Sequence, residues 1–112
     1  MKQNNIKGII PAVFTAINSD HSVNTGQVKQ QAEALIRNGV SGFFINGTTG
    51  ETTSLALEER MELAETWRRH TPSDIKLIIH VGHNCLYYAQ QLARHAASIK
   101  ADGIAAFPPS YY

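Results

Sequence analysis

The strongest constraint on this chain is an alternation: short apolar runs of strand length are separated, three times over, by stretches of helical period. The first run, residues 8–13 (GIIPAV), holds β-branched residues and precedes a polar stretch rich in Asn, Ser and Asp. Pro11 lacks a ladder donor, so this strand is expected to be irregular or to end early. Asn24 or Thr25 then offers an N-cap, and Val28, Ala32, Leu35 and Ile36 recur at helical spacing. Asn38-Gly39 closes that helix with a residue able to take positive φ.

The unit repeats. Residues 42–46 (GFFIN) read as a buried strand with a Gly/Thr turn behind it. Leu57, Met61, Ala64 and Trp67 make one apolar face of a second helix, with Trp67 as its core anchor. Glu58 and Glu59 in its first turn, and Arg68, Arg69 and His70 in its last, suit the macrodipole. Pro72 stops it. Residues 75–81 (IKLIIHV) are the third strand. Leu86, Ala89, Ala93 and Ala96 stripe a third helix ending near Lys100, and residues 103–107 form a fourth strand.

Strands that read as continuous apolar runs between helices, in the order βαβαβαβ, imply a parallel α/β sheet covered on its faces. Periodicity alone leaves an open doubly wound sheet and part of a closed barrel equally open. The repeat is ~30 residues, and eight such units make the ~250-residue barrel. With 112 residues the chain suffices for one domain. It stops directly after a strand with no helix to cover it, as expected of a cut.

Composition narrows the function classes. Ten basic residues against nine acidic ones give a net charge of +1, and the basic residues are scattered. Neither nucleic acid nor an anionic membrane is an expected partner. No apolar run approaches the ~20 residues of a membrane span. The polar start lacks the apolar core of a signal peptide. A single cysteine, Cys85, suits a reducing compartment, so a cytoplasmic protein is expected. His80 and His83 do not share a strand face and have no third ligand near, so no metal site is expected.

The most informative segment is Asn46-Gly47-Thr48-Thr49-Gly50-Glu51, at the strand end where parallel α/β proteins bind ligands. Two glycines allow a tight turn and close backbone approach. Two adjacent threonines offer hydroxyl and N–H groups to one small volume, enough to hold a carboxylate without a cation. The plain alternative is a connection whose threonines satisfy local backbone groups. No Lys follows the second glycine as in a P-loop, and the GxGxxG spacing is absent. Glu51 is expected to fix the loop by accepting backbone N–H bonds rather than to act as a general base. Tyr87 and Tyr88 are expected to divide between packing and solvent.

The run Gly47-Thr48-Thr49-Gly50-Glu51 after a buried strand resembles the signature of the N-acetylneuraminate lyase and dihydrodipicolinate synthase family. Gly8-Ile9-Ile10-Pro11-Ala12-Val13-Phe14-Thr15, Ser54-Leu55-Ala56-Leu57-Glu58-Glu59-Arg60, Ile78-Ile79-His80-Val81-Gly82 and Ala101-Asp102-Gly103-Ile104 through Tyr112 resemble further segments of it in order. The resemblance spans nearly the whole chain. It implies that residues 1–112 are the N-terminal part, about three and a half βα units, of a (β/α)8 TIM barrel lacking its C-terminal half. It also implies a class I aldolase or lyase that holds pyruvate as a Schiff base on a lysine, with no cofactor. By resemblance, Thr48 and Thr49 hold the pyruvate carboxylate and Thr48 lies on a proton relay. Tyr111 matches a tyrosine that reaches a neighbouring subunit's site, in an intact homotetramer.

Pro108 and Ser110 depart from common family residues on either side of Tyr111. The Schiff-base lysine belongs to later strands, and Lys2, Lys7, Lys29, Lys76 and Lys100 all lie away from the catalytic end. His80 beside Val81 resembles the lyase branch, whose members split a sialic acid to N-acetylmannosamine and pyruvate. The alternatives are a synthase-type condensation of pyruvate with another aldehyde, and a non-catalytic remnant. Open sheet edges imply marginal stability or self-association of the chain alone.

Overall fold

The structure is a computed structural model and describes residues 6–109. Three strands form a parallel sheet in the order β1 (Gly42–Ile45), β2 (Lys76–His80), β3 (Gly103–Ala105). The helices α1 (Val28–Arg37), α2 (Leu57–Arg69) and α3 (Leu86–Ser98) alternate with them. The α/β alternation expected from the sequence is therefore present.

The first apolar run is irregular, as Pro11 led one to expect. It forms no regular strand, only a parallel bridge between Ala12 and Phe44. Its backbone still follows β1: Ser41 N–H donates to Ile9 O at 2.8 Å, Phe44 N–H to Pro11 O at 2.9 Å and Val13 N–H to Phe44 O at 3.0 Å. The carbonyl of Pro11 is used and its missing donor is not needed by β1, which is how proline sits at a sheet edge.

Residue alternation gives the sheet two faces. Phe43, Ile45, Leu77 and Ile79 share one face and are almost completely buried. Trp67 of α2 packs on Phe43 with ring centroids 4.9 Å apart. Val28 and Ala32 of α1, Leu63 and Ala64 of α2, and Leu92 and Ala96 of α3 complete this core. Phe44, Ile78 and His80 point to the other face by the same alternation.

Two helices refine the expected stripes. Asn24 accepts from Gly26 N–H and caps a 3₁₀ turn, Thr25–Gln27, which runs into α1. After α1 it is Gly39, at φ 83°, that takes the left-handed turn. In α3 the expected stripe is wrong at Leu86, which is 71% exposed, while Leu92 is buried. Leu86 opens the helix, ahead of the turns that face the sheet.

At the N-terminal end of the strands, Asp102 ties β2 to β3. Its carboxylate accepts from Leu77 N–H at 2.8 Å and lies 3.6 Å from Arg68 and 3.9 Å from Lys76.

Candidate functional site

At the opposite, C-terminal end of the strands the chain forms a cleft of about 430 Å³. Its lining includes Thr48, Thr52, Arg60, His80, His83 and Phe107. Three strand exits converge here, because parallel strands must all leave the sheet at the same end.

The turn after β1 is built from strained and permissive positions in sequence. Asn46 takes a left-handed backbone at φ 61° and Glu51 another at φ 62°. Both positions cost more for a residue with a Cβ than for glycine. At Gly47 a Cβ would lie 2.5 Å from the Phe44 ring, so no side chain fits without moving it. Backbone bonds from Glu51 N–H to Thr48 O (2.9 Å) and Thr52 N–H to Gly47 O (3.2 Å) close the turn. Thr15 Oγ1 donates to Gly50 O at 2.7 Å and pins it to the segment following the first apolar run.

Closed this way by backbone groups, the turn leaves its two threonine side chains unused. Thr48 and Thr49 are exposed, and Thr48 lines the cleft. Among the described residues neither hydroxyl makes a hydrogen bond, so neither serves to satisfy its own loop. Thr49 does not line the cleft, so the two expected ligand-holding hydroxyls do not share one wall of it. Tyr111 lies outside the described residues.

Glu51 corrects an expectation. Its carboxylate is exposed and accepts no backbone N–H among the described residues; the residue shapes the loop through its left-handed backbone instead. Tyr87 and Tyr88 are both exposed, with ring centroids 5.7 Å apart and planes tilted by 58°, so neither packs inward.

Behind the threonines lies a buried polar network. Asn46 Nδ2 donates to Arg60 O at 3.0 Å. The Arg60 guanidinium donates to Gly82 O at 2.9 Å and to His80 O at 2.8 Å. His80 Nδ1 lies 3.0 Å from Asn46 O, and Phe107 N–H donates to His80 Nε2 at 3.2 Å. An acceptor Nε2 and a donor Nδ1–H describe one neutral tautomer, which satisfies both ring nitrogens. Burial and the nearby Arg60 charge push the His80 pKa below its ordinary value, against the Asn46 hydrogen bond that raises it. Burial draws the Arg60 pKa down to about 10, which leaves the guanidinium charged at neutral pH. With both ring nitrogens engaged, His80 has no free lone pair for a metal.

Sequence reasoning assigned no role to Arg60 and took Asn46 only as the start of the turn. The signal for Arg60 was present: it stands three residues after Leu57 and four before Ala64, a charged residue inside an apolar helical stripe. Asn46 carried less of one, because a buried αL asparagine reads as an ordinary turn residue.

A parallel α/β sheet whose strand exits gather around a polar cleft suits an open sheet or a barrel, and likeness to solved lyase structures makes it the N-terminal part of a (β/α) barrel. Over residues 5–112 the sequence matches the Dihydrodipicolinate synthetase family, and the chain belongs to that family, which includes lyases. The N-acetylneuraminate lyase of Danio rerio is 40% identical over 109 residues, covering 96% of this chain and 36% of the relative. Among solved structures, the Proteus mirabilis N-acetylneuraminate lyase superposes with a TM-score of 0.93 at 34% identity, over 97% of this chain and 37% of that one. A dihydrodipicolinate synthase from Aquifex aeolicus gives 0.84 at 29% identity, over 90% and 34%. The chain thus spans about a third of the length of the relatives it matches.

Proposed function

We propose that this chain forms the carboxylate-holding wall of a Schiff-base pyruvate lyase, in the manner of N-acetylneuraminate lyase. The observation that carries this reading is Thr48: an exposed hydroxyl at the exit of β1, lining the cleft and free of any bond among the described residues. A hydroxyl both donates and accepts, so Thr48 can hold a carboxylate oxygen and pass a proton. Thr49 offers a second hydroxyl from the same turn, and Tyr111 completes the relay from a neighbouring subunit of a homotetramer. The substrate is a sialic acid, released as N-acetylmannosamine and pyruvate. His80 at the end of β2, followed by Val81, and the relatives favour this over the synthase-type condensation.

The electron sink is a protonated imine on lysine, which lets the adjacent carbon leave with its electron pair. No lysine among the described residues supplies it. Lys76 pairs with Asp102 at the N-terminal end of β2, Lys100 lies before β3, and Lys29 is exposed on α1. Alone, the 112-residue chain does not turn over substrate. A cytoplasmic site of action fits the exposed thiol of Cys85.

The test joins this chain to the remaining strands of the Proteus mirabilis lyase in one polypeptide. Pyruvate release from N-acetylneuraminate is expected, with Thr48→Val lowering kcat at least tenfold. The chain alone, treated with pyruvate and borohydride, is expected to gain no adduct. A stable adduct on Lys2, Lys7, Lys29, Lys76 or Lys100, or full activity of the Thr48→Val variant, would overturn the reading.

A further inference from the structure

Arg60 is an expensive residue for this fold. Its side chain is 3% exposed on the apolar face of α2, and it pairs with no carboxylate among the described residues. Its Nε has no hydrogen-bond partner among the described residues. A buried cation without an anion is poorly compensated, and an apolar side chain of similar volume is often as stable or more so in its place. Stability therefore does not account for the guanidinium.

Its contacts do. The two terminal nitrogens take the carbonyls of His80 and Gly82 at the exit of β2. The backbone carbonyl of the same residue takes Asn46 Nδ2 at the exit of β1. His80 passes the link on, to Asn46 O on one side and to Phe107 N–H beyond β3 on the other. Arg60 thus ties the exits of β1 and β2 to α2, and His80 carries the link beyond β3. Asn46 immediately precedes Gly47, and its left-handed backbone sets the direction in which the chain enters the threonine turn. Gly50 returns against Asn46, where a Cβ would come within 3.2 Å of Asn46 N.

We propose that Arg60 is a positioning residue for the Thr48-Thr49 turn, holding the β1 exit against the β2 exit so that the Thr48 hydroxyl faces its ligand. The proposal deepens the pyruvate reading and rests on it for the identity of the ligand. The requirement is geometric. A planar guanidinium spans two carbonyls at once, whereas a single ammonium does not reproduce the fork.

The experiment compares the 112-residue chain with its Arg60→Met and Arg60→Lys variants. It measures the urea midpoint and amide exchange at Glu51 and Thr52 in the chain, and pyruvate affinity in the polypeptide that joins each variant to the remaining strands of the Proteus mirabilis lyase. Both variants are expected to speed Glu51 and Thr52 exchange about tenfold, the effect of losing about one net hydrogen bond to a charged group. Amides of α1 are expected to be unchanged, and the Arg60→Met midpoint to stay level or rise. Pyruvate affinity is expected to fall about tenfold in both variants. Unchanged exchange in the turn, full rescue by lysine, or an affinity loss that merely tracks a lower midpoint would overturn the proposal. A joined wild-type polypeptide that binds no pyruvate would sink the pyruvate reading instead, leaving Arg60 to be judged by exchange alone.

Discussion

Asn46 separates two contributions that a single substitution would blur. Its side chain makes a buried bond to Arg60 O, and its backbone sits at φ 61°. Asn46→Ala removes the bond, a net loss of about 1 kcal/mol. It also places alanine in the left-handed region, costing about 1 kcal/mol more. The expected total is about 2 kcal/mol. Asn46→Gly loses the same bond but tolerates the backbone, so about 1 kcal/mol is expected. For a domain near this size, 1 kcal/mol shifts the thermal midpoint by about 4 °C. Alanine should therefore lower it by about 8 °C and glycine by about 4 °C. The assay is thermal and urea unfolding at one fixed protein concentration, followed by fluorescence of Trp67, the chain's single tryptophan and a buried one. If glycine proves as damaging as alanine, the backbone argument fails. If neither variant shifts the midpoint, the Asn46–Arg60 bond does not stabilise the turn.

Phe43→Ala empties a fully buried site against Trp67 and should cost about 3–5 kcal/mol, read from the same unfolding curves. A loss below 1 kcal/mol would show that the sheet-to-α2 contact is not central to the core. Because the folded His80 pKa lies below the ordinary value of 6.5, the unfolded chain binds more protons near that pH. Stability should be fully present above about pH 6.5 and decline as the pH falls through the lower folded value. His80→Gln should flatten that decline; an unaltered pH profile would contradict the neutral, doubly bonded ring. The chain alone should self-associate through its exposed edge and the apolar side chains Ile9, Phe14 and Ile104. A unimolecular unfolding midpoint, independent of concentration across a hundredfold range, would argue otherwise.

Much of the fold was legible because periodicity is a local property. Helix and strand order, the Trp67 anchor and the Gly39 turn follow from spacing that any reader of residues 28–107 can count. The threonine turn was legible because glycine and hydroxyl residues carry their chemistry with them. Two errors share one cause: Leu86 and the Glu51 carboxylate were placed by local pattern, but helix docking and loop closure decided where they went.

By itself the sequence determined the parallel α/β alternation and the two hydroxyls at a strand exit, since apolar period and side-chain type need no partner to be read. Only the tertiary structure decided that a cation from α2 would cross to the exit of β2, that His80 would be held neutral between Asn46 and Phe107, and that Thr48 rather than Thr49 would line the cleft. Those choices depend on contacts between residues 14 to 34 positions apart, which exist only once the strands have paired and the helix has packed against them.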